Sequence, residues 1–144
     1  MILPAVAAPV GSYVPAKRHG SSVYVTGQLA FVDGVIPATG LIGREVSLEE
    51  GIAAARAAAL NALAAAATEV GGVDSLSGVL QLVGYMACVE GFDGLSAVLN
   101  GASDLFPLVF GESGVHTRTN VGVGWLPLGS PVEIQVHFTT DQAG

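Results

Sequence analysis

Positive charge is what this chain has least of. Its 144 residues carry five Lys or Arg against twelve Asp or Glu, a net charge of −7. Arg118 is the sole Lys or Arg in the 88 residues that follow Arg56. So acidic a chain repels phosphate backbones, which argues against generic nucleic-acid binding. Charged residues of both signs make up 12% of the sequence, about half the usual share of roughly 25%. Cysteine is almost missing too. Cys88 alone excludes an internal disulfide, and no Cys/His spacing resembles a zinc site, so no metal is expected. A single cysteine also fits a reducing, cytoplasmic location. A bilayer-spanning run is lacking: the most apolar window, Gly51–Val70, is mostly alanine and contains Arg56, Asn61 and Glu69. The opening MILPAVAAPVG has no basic start and is broken by Pro4 and Pro9, so it does not read as a signal peptide.

What is present is small and apolar. Apolar residues make up 51% of the chain, and there are twenty glycines. The length suits one domain, residues 1–144, with a full core. With so little charge to cover it, part of the surface is expected to face another copy of the chain.

The pattern along the chain gives β-β-α-β-α-β-β. Ser22–Thr26 alternates as a strand, and Leu29–Val32 forms a second extended piece before the Asp33-Gly34 turn. Ser47 with Glu50 three residues later is a capping box, and Glu45, Glu49 and Glu50 suit the positive end of the helix dipole. Leu48, Ile52, Ala55, Ala59, Leu63, Ala66 and Val70 then fall on one helical face, with Gly71-Gly72 as the stop. Val79–Val89 reads as a buried strand. Leu95–Phe110 reads as a second helix, with a kink or early end expected from Pro107. Thr117–Trp125 and Pro131–Thr139 close the chain as strands. An α+β sheet with helices on one face follows.

Alternation places Arg118, Asn120, Gly122 and Gly124 on one face of the first closing strand, and Glu133, Gln135 and His137 on one face of the second. The expected arrangement is a hairpin turning at Leu128–Gly129, with these polar sets together on the helix-free side. Its register pairs Gly124 with Glu133 and Gly122 with Gln135, sets Arg118 opposite Thr139, and makes Asn120 the neighbour of His137. Arg118 and Glu133 then lie on the order of 20 Å apart, so one site using both forms between subunits. The two glycines leave room beside Glu133. The residues alone leave two readings of Arg118 open: bidentate capture of a substrate carboxylate, or a structural ion pair across an interface.

The run R-T-N-V-G-V-G-W-L-P followed by V-E-I resembles the C-terminal signature of the RidA (YjgF) family. Gly11-Ser12-Tyr13 resembles that family's Gly-Pro-Tyr, V-Y-V-T-G-Q its strand ending in Ser-Gly-Gln, and Val98-Leu99-Asn100 the Val-Asn of its second helix. The resemblance spans nearly the whole chain. It implies a chorismate-mutase-like fold, a homotrimer with sites in the clefts between subunits, and hydrolytic deamination of reactive 2-imino or 2-enamino acids without cofactor or metal. By position, Arg118 would bind the carboxylate of a small metabolite and Glu133 would orient or deprotonate the attacking water. Tyr13 would shape the pocket. Thr26, Gly27 and Asn100 would line it, and the backbone around Thr119–Asn120 would supply hydrogen bonds. Four positions depart from the family pattern and alter pocket shape: Asn120 for the common Cys, His116-Thr117 for Pro-Ala, Ser12 for Pro and Thr26 for Ser. A non-catalytic trimer that binds a small carboxylate is the alternative from another class. The endoribonuclease activity attached to some relatives stands behind both, because the chain has no basic patch.

Overall fold

The capping signature at Ser47 starts the longest element. In the computed structural model, which describes residues 1–142, helix α1 runs Leu48–Val70. The Glu50 amide donates to Ser47 Oγ at 3.1 Å, and the Ser47 amide donates to Glu50 Oε1 at 2.9 Å. Two otherwise orphaned helix donors are thereby satisfied reciprocally. Gly71 ends the helix at φ +88°, a conformation that glycine adopts without steric cost. Glu45 is held by the Leu41 amide and the Arg44 guanidinium instead of the helix end. Among the described residues, α1 alone has the length and composition to cross a bilayer, yet 67% of its apolar window is buried inside the fold. Alanine at 55, 58, 59, 62 and 66 is fully buried there, so α1 is the central core helix.

Five strands form one sheet: β1 (Ala16–His19), β2 (Ser22–Leu29), β3 (Leu76–Ala87), β4 (Thr117–Val123) and β5 (Val132–Thr140), in the order β1-β2-β5-β3-β4. Helix α2 (Leu95–Ser103) and the short α3 (Leu105–Phe110) lie between β3 and β4 in the chain. A single core joins α1, α2 and α3 to the inner sheet residues Val23, Val25, Leu82, Met86, Ile134, Val136 and Phe138. The α+β architecture is the one the pattern predicts, and so is the succession β-β-α-β-α-β-β, with the second helix in two pieces and the two opening strands differently placed.

The break falls at Asp104 because Pro107 has no amide hydrogen, and its ring collides with the carbonyl four residues before it, that of Ser103. Strand bounds differ as well. β1 was not expected; Leu29 belongs to β2, and Val32 only bridges Val35 around the Asp33-Gly34 turn. β3 spans Leu76–Ala87 rather than Val79–Val89.

The closing hairpin is the main correction. β4 and β5 do not pair: β3 lies between them, parallel to β4 and antiparallel to β5. The connection from β3 to β4 passes through α2 and α3, which is the crossover that a parallel pair requires. The face assigned to β4 is corrected with it. The row Val25–Val136–Leu82–Arg118 lies on the helix side of the sheet, whereas the row Glu133–Tyr85–Val121 lies on the open side. β5 keeps its expected alternation, with Val132, Ile134, Val136 and Phe138 buried under the helices.

Candidate active site

Arg118 is the second residue of β4, and β4 is an edge strand with β3 as its one neighbour among the described residues. Its guanidinium is turned onto α2. Nη1 donates to Asn100 Oδ1 at 2.8 Å and to Ser103 Oγ at 3.1 Å; Nη2 donates to the Ser96 carbonyl at 3.1 Å and to Ser96 Oγ at 2.6 Å. Ser96, Asn100 and Ser103 recur at helical spacing, so α2 presents one polar stripe to the strand. Every one of these acceptors is neutral. The sole ion pair among the described residues joins Arg44 to Glu45, so the Arg118 charge has no carboxylate partner. A partly buried guanidinium with its charge uncompensated favours an incoming anion.

Asn120 shares the face of Arg118, and its Oδ1 is enclosed with no donor in reach. Gly122, next on that face, borders a cleft of about 400 Å³ lined by Cys88, Phe92, Leu95 and Gly124 among others. The two glycines therefore open space beside Cys88, not beside Glu133 as the hairpin register implied. Thr119 points to the opposite, open side of β4.

Glu133 belongs to a second cluster. On the open face, a bulge in β2 between Val25 and Gln28 sets Gly27 at φ +58°. A Cβ there would lie 3.3 Å from Glu133 Oε2 and 3.9 Å from the Tyr13 hydroxyl. Tyr13, Gly27 and Glu133 thus converge, with Thr26 adjacent and exposed. Glycine is favoured at that point by its backbone angle, and the absence of a side chain leaves space between the two groups that meet over it. Burial pushes the Glu133 carboxyl above its ordinary range.

The two clusters do not meet within one chain. Glu133 and Arg118 stand two strands apart, about 10 Å across and about 10 Å along the sheet, on opposite faces. The expected separation along a β4–β5 hairpin is replaced by this one, because β4 pairs with β3 and not with β5. His137 is not beside Asn120; it stacks on Tyr24 with ring centroids 4.2 Å apart. His116, whose role the sequence left open, packs edge-on to Phe106 and reaches Ser103. Ser96 and Ser103 went unnoticed in the sequence. Their signal was the polar spacing 96, 100, 103, overshadowed by the apolar stripe of the same helix.

Residues 1–138 match the family described as "YjgF/chorismate mutase-like, putative endoribonuclease". The chain is 41% identical over 133 residues to Protein TCP17 of Trypanosoma cruzi, covering 92% of this chain and 83% of that protein. It superposes with a TM-score of 0.92 on a crystal structure called a putative endoribonuclease from Shewanella oneidensis MR-1, at 31% identity over 96% of this chain and 92% of the other. It shares its fold with Escherichia coli TdcF, crystallised with bound serine, at TM-score 0.65 and 18% identity over 98% and 99% of the two chains. A match along nearly the full length, together with the five-stranded sheet and its helical cover, makes this chain a member of the YjgF/chorismate-mutase-like family.

Proposed function

We propose that this protein deaminates small 2-imino and 2-enamino acids by hydrolysis, at clefts formed between copies of itself in a homotrimer. The observation that carries the proposal is the Arg118 guanidinium, held at the sheet edge by neutral oxygens alone. In this reading the substrate carboxylate supplies the missing negative charge, in keeping with the serine bound to TdcF. Glu133 of a neighbouring copy faces the imine carbon. It takes a proton from water as the water oxygen bonds to that carbon, and the C=N electron pair moves to nitrogen. Glu133 hands that proton to the nitrogen, giving the neutral carbinolamine. It then draws the hydroxyl proton and passes it to the amino nitrogen as the C–N bond breaks. Ammonia leaves, the C=O of the 2-oxo acid forms, and Glu133 is a carboxylate again. A carboxylate whose proton affinity is raised by burial is a stronger base than an exposed one. The Tyr13 hydroxyl orients the reacting groups, Thr26 and Gly27 line the cleft, and Asn100 steadies Arg118. The unpaired outer edge of β4 offers backbone groups of Thr119 and Asn120.

The test generates 2-aminoacrylate or 2-iminopropanoate in situ and follows 2-oxo acid and ammonia. Wild type accelerates hydrolysis. Arg118→Ala lowers kcat/KM by about 100-fold through loss of charged hydrogen bonds, and Glu133→Gln lowers kcat by at least about 100-fold. No acceleration by wild type, with Arg118-dependent binding of 2-oxo acids, would instead establish a carboxylate-binding protein. RNA cleavage that survived purification and vanished in Arg118→Ala would overturn the proposal in favour of the endoribonuclease.

A further inference from the structure

Behind Arg118 lies a second layer of hydrogen bonds. Ser103 Oγ, the acceptor for Arg118 Nη1 at 3.1 Å, is 2.9 Å from His116 Nε2, and His116 Nδ1 is 2.6 Å from the Gly114 carbonyl oxygen. A carbonyl only accepts, so Nδ1 carries the hydrogen. In that tautomer Nε2 holds a lone pair and accepts from the Ser103 hydroxyl. Every donor then points away from the guanidinium: Arg118 to Ser103, Ser103 to His116, His116 to Gly114. Such a chain polarises cooperatively, which makes Ser103 a better acceptor for the cation than a lone hydroxyl. Its far end is rigid, since any Cβ at Gly114 would collide with the Phe106 carbonyl and the His116 ring lies edge-on to Phe106 at 5.4 Å.

The geometry points to Ser103 and His116 as positioning residues for Arg118, anchoring Nη1 while a carboxylate docks on the Nε–Nη2 edge. The assignment rests on the reading of Arg118 as the carboxylate site. Among the described residues, the Nε hydrogen alone of the guanidinium donors has no acceptor, whereas Nη2 is held by Ser96. Bidentate docking on Nε and Nη2 therefore displaces the Ser96 hydroxyl and leaves the Nη1 anchor intact. The two serines that hold the guanidinium are thus given unequal roles: the Ser96 hydroxyl, at 2.6 Å from Nη2, is exchanged for ligand, and Ser103, at 3.1 Å from Nη1 with His116 behind it, is retained.

The experiment measures pyruvate affinity by calorimetry for wild type, Arg118→Ala, Ser96→Ala, Ser103→Ala, Ser103→Thr, His116→Ala and the Ser103→Ala/His116→Ala double variant, each checked by thermal melt. Arg118→Ala is expected to abolish binding. Ser103→Ala and His116→Ala each weaken it by about tenfold. The double variant is no weaker than either single one, because both remove the same chain. Ser103→Thr retains affinity, and Ser96→Ala stays within about twofold of wild type or tightens. If Ser103→Ala and His116→Ala bind as wild type does while Arg118→Ala does not, the positioning role fails and the carboxylate reading survives. Wild type that binds no pyruvate, or Arg118→Ala that binds it normally, overturns both. Nitrogen-15 spectra of wild-type His116 decide the hydrogen-bond chain without any variant: the Nδ1–H tautomer is expected, and Nε2–H would refute it.

Discussion

A carboxyl group in a partly dry pocket and a guanidinium without a counter-ion each work against folding. Burial pushes the Glu133 carboxyl up, and among the described residues no cation forms an ion pair with it to offset the cost. Because its folded-state affinity for a proton exceeds that in the unfolded chain, its contribution to stability is whole at low pH. That contribution is lost as pH rises from about 4, where unfolded glutamates ionise, through the higher folded value. Glu133→Gln keeps the shape and removes the charge. Its melting temperature should therefore gain on wild type as pH is raised from about 3.5 to about 7.5 in scanning calorimetry, while deamination is lost; a gap that narrows with pH would contradict the burial. That Arg118 is the sole Lys or Arg of the last 88 residues was legible in the sequence, since it needs only a count. Its partners were not, because hydrogen bonds from β4 to α2 depend on which face of the strand meets the helix. Glu133 was singled out by strand alternation as well as by family resemblance, Tyr13 and Gly27 by resemblance alone, and nothing in their spacing says that a bulge brings the three together.

Secondary structure with local causes was the part best read from sequence. The box formed by Ser47 and Glu50 and the stop at Gly71 act within a few residues, so α1 emerged with its observed ends. Ser47→Ala should cost about 1 kcal/mol, a drop of about 3 °C in melting temperature for a domain of this size. Gly101→Ala should cost more, since its Cβ would overlap the Ile52 carbonyl where α2 crosses α1; thermal melts of the pair rank the two effects. β1 was missed because Ala-Lys-Arg-His neither alternates nor carries β-branched residues. The false hairpin had a different origin. β4 and β5 are consecutive and joined by a short connection, which usually makes neighbours. The β3–helix–β4 connection overrides that preference by placing β4 parallel to β3, and β5 takes the other edge of β3. The partner of a strand is decided by competition among all strands, which local pattern does not encode.

At the scale of the whole molecule, the two clusters on opposite faces make the proposed site a property of the assembly. Arg118 would come from one chain and Glu133 from its neighbour in a cyclic arrangement. Mixing Arg118→Ala and Glu133→Gln chains by unfolding and refolding at equal amounts should then restore about one quarter of wild-type activity, because that share of interfaces receives both intact residues. Neither variant alone recovers anything. No restoration in mixed oligomers confirmed by mass spectrometry would place both groups in a single chain.

A cation without a carboxylate partner among the described residues, set in an acidic body, also shapes how substrate arrives. At long range an anionic metabolite meets the field of a chain with net charge −7, and only within a few ångströms does the guanidinium dominate. The Debye length shrinks from about 30 Å at 0.01 M salt to about 8 Å at 0.15 M, which hides the distant acids first. Turnover at subsaturating substrate should accordingly rise with salt over that range, the reverse of an enzyme that attracts its anion by broad positive charge. The protein would select its substrate at contact and repel it on approach, so that encounter, rather than capture, is the step most open to the ionic surroundings.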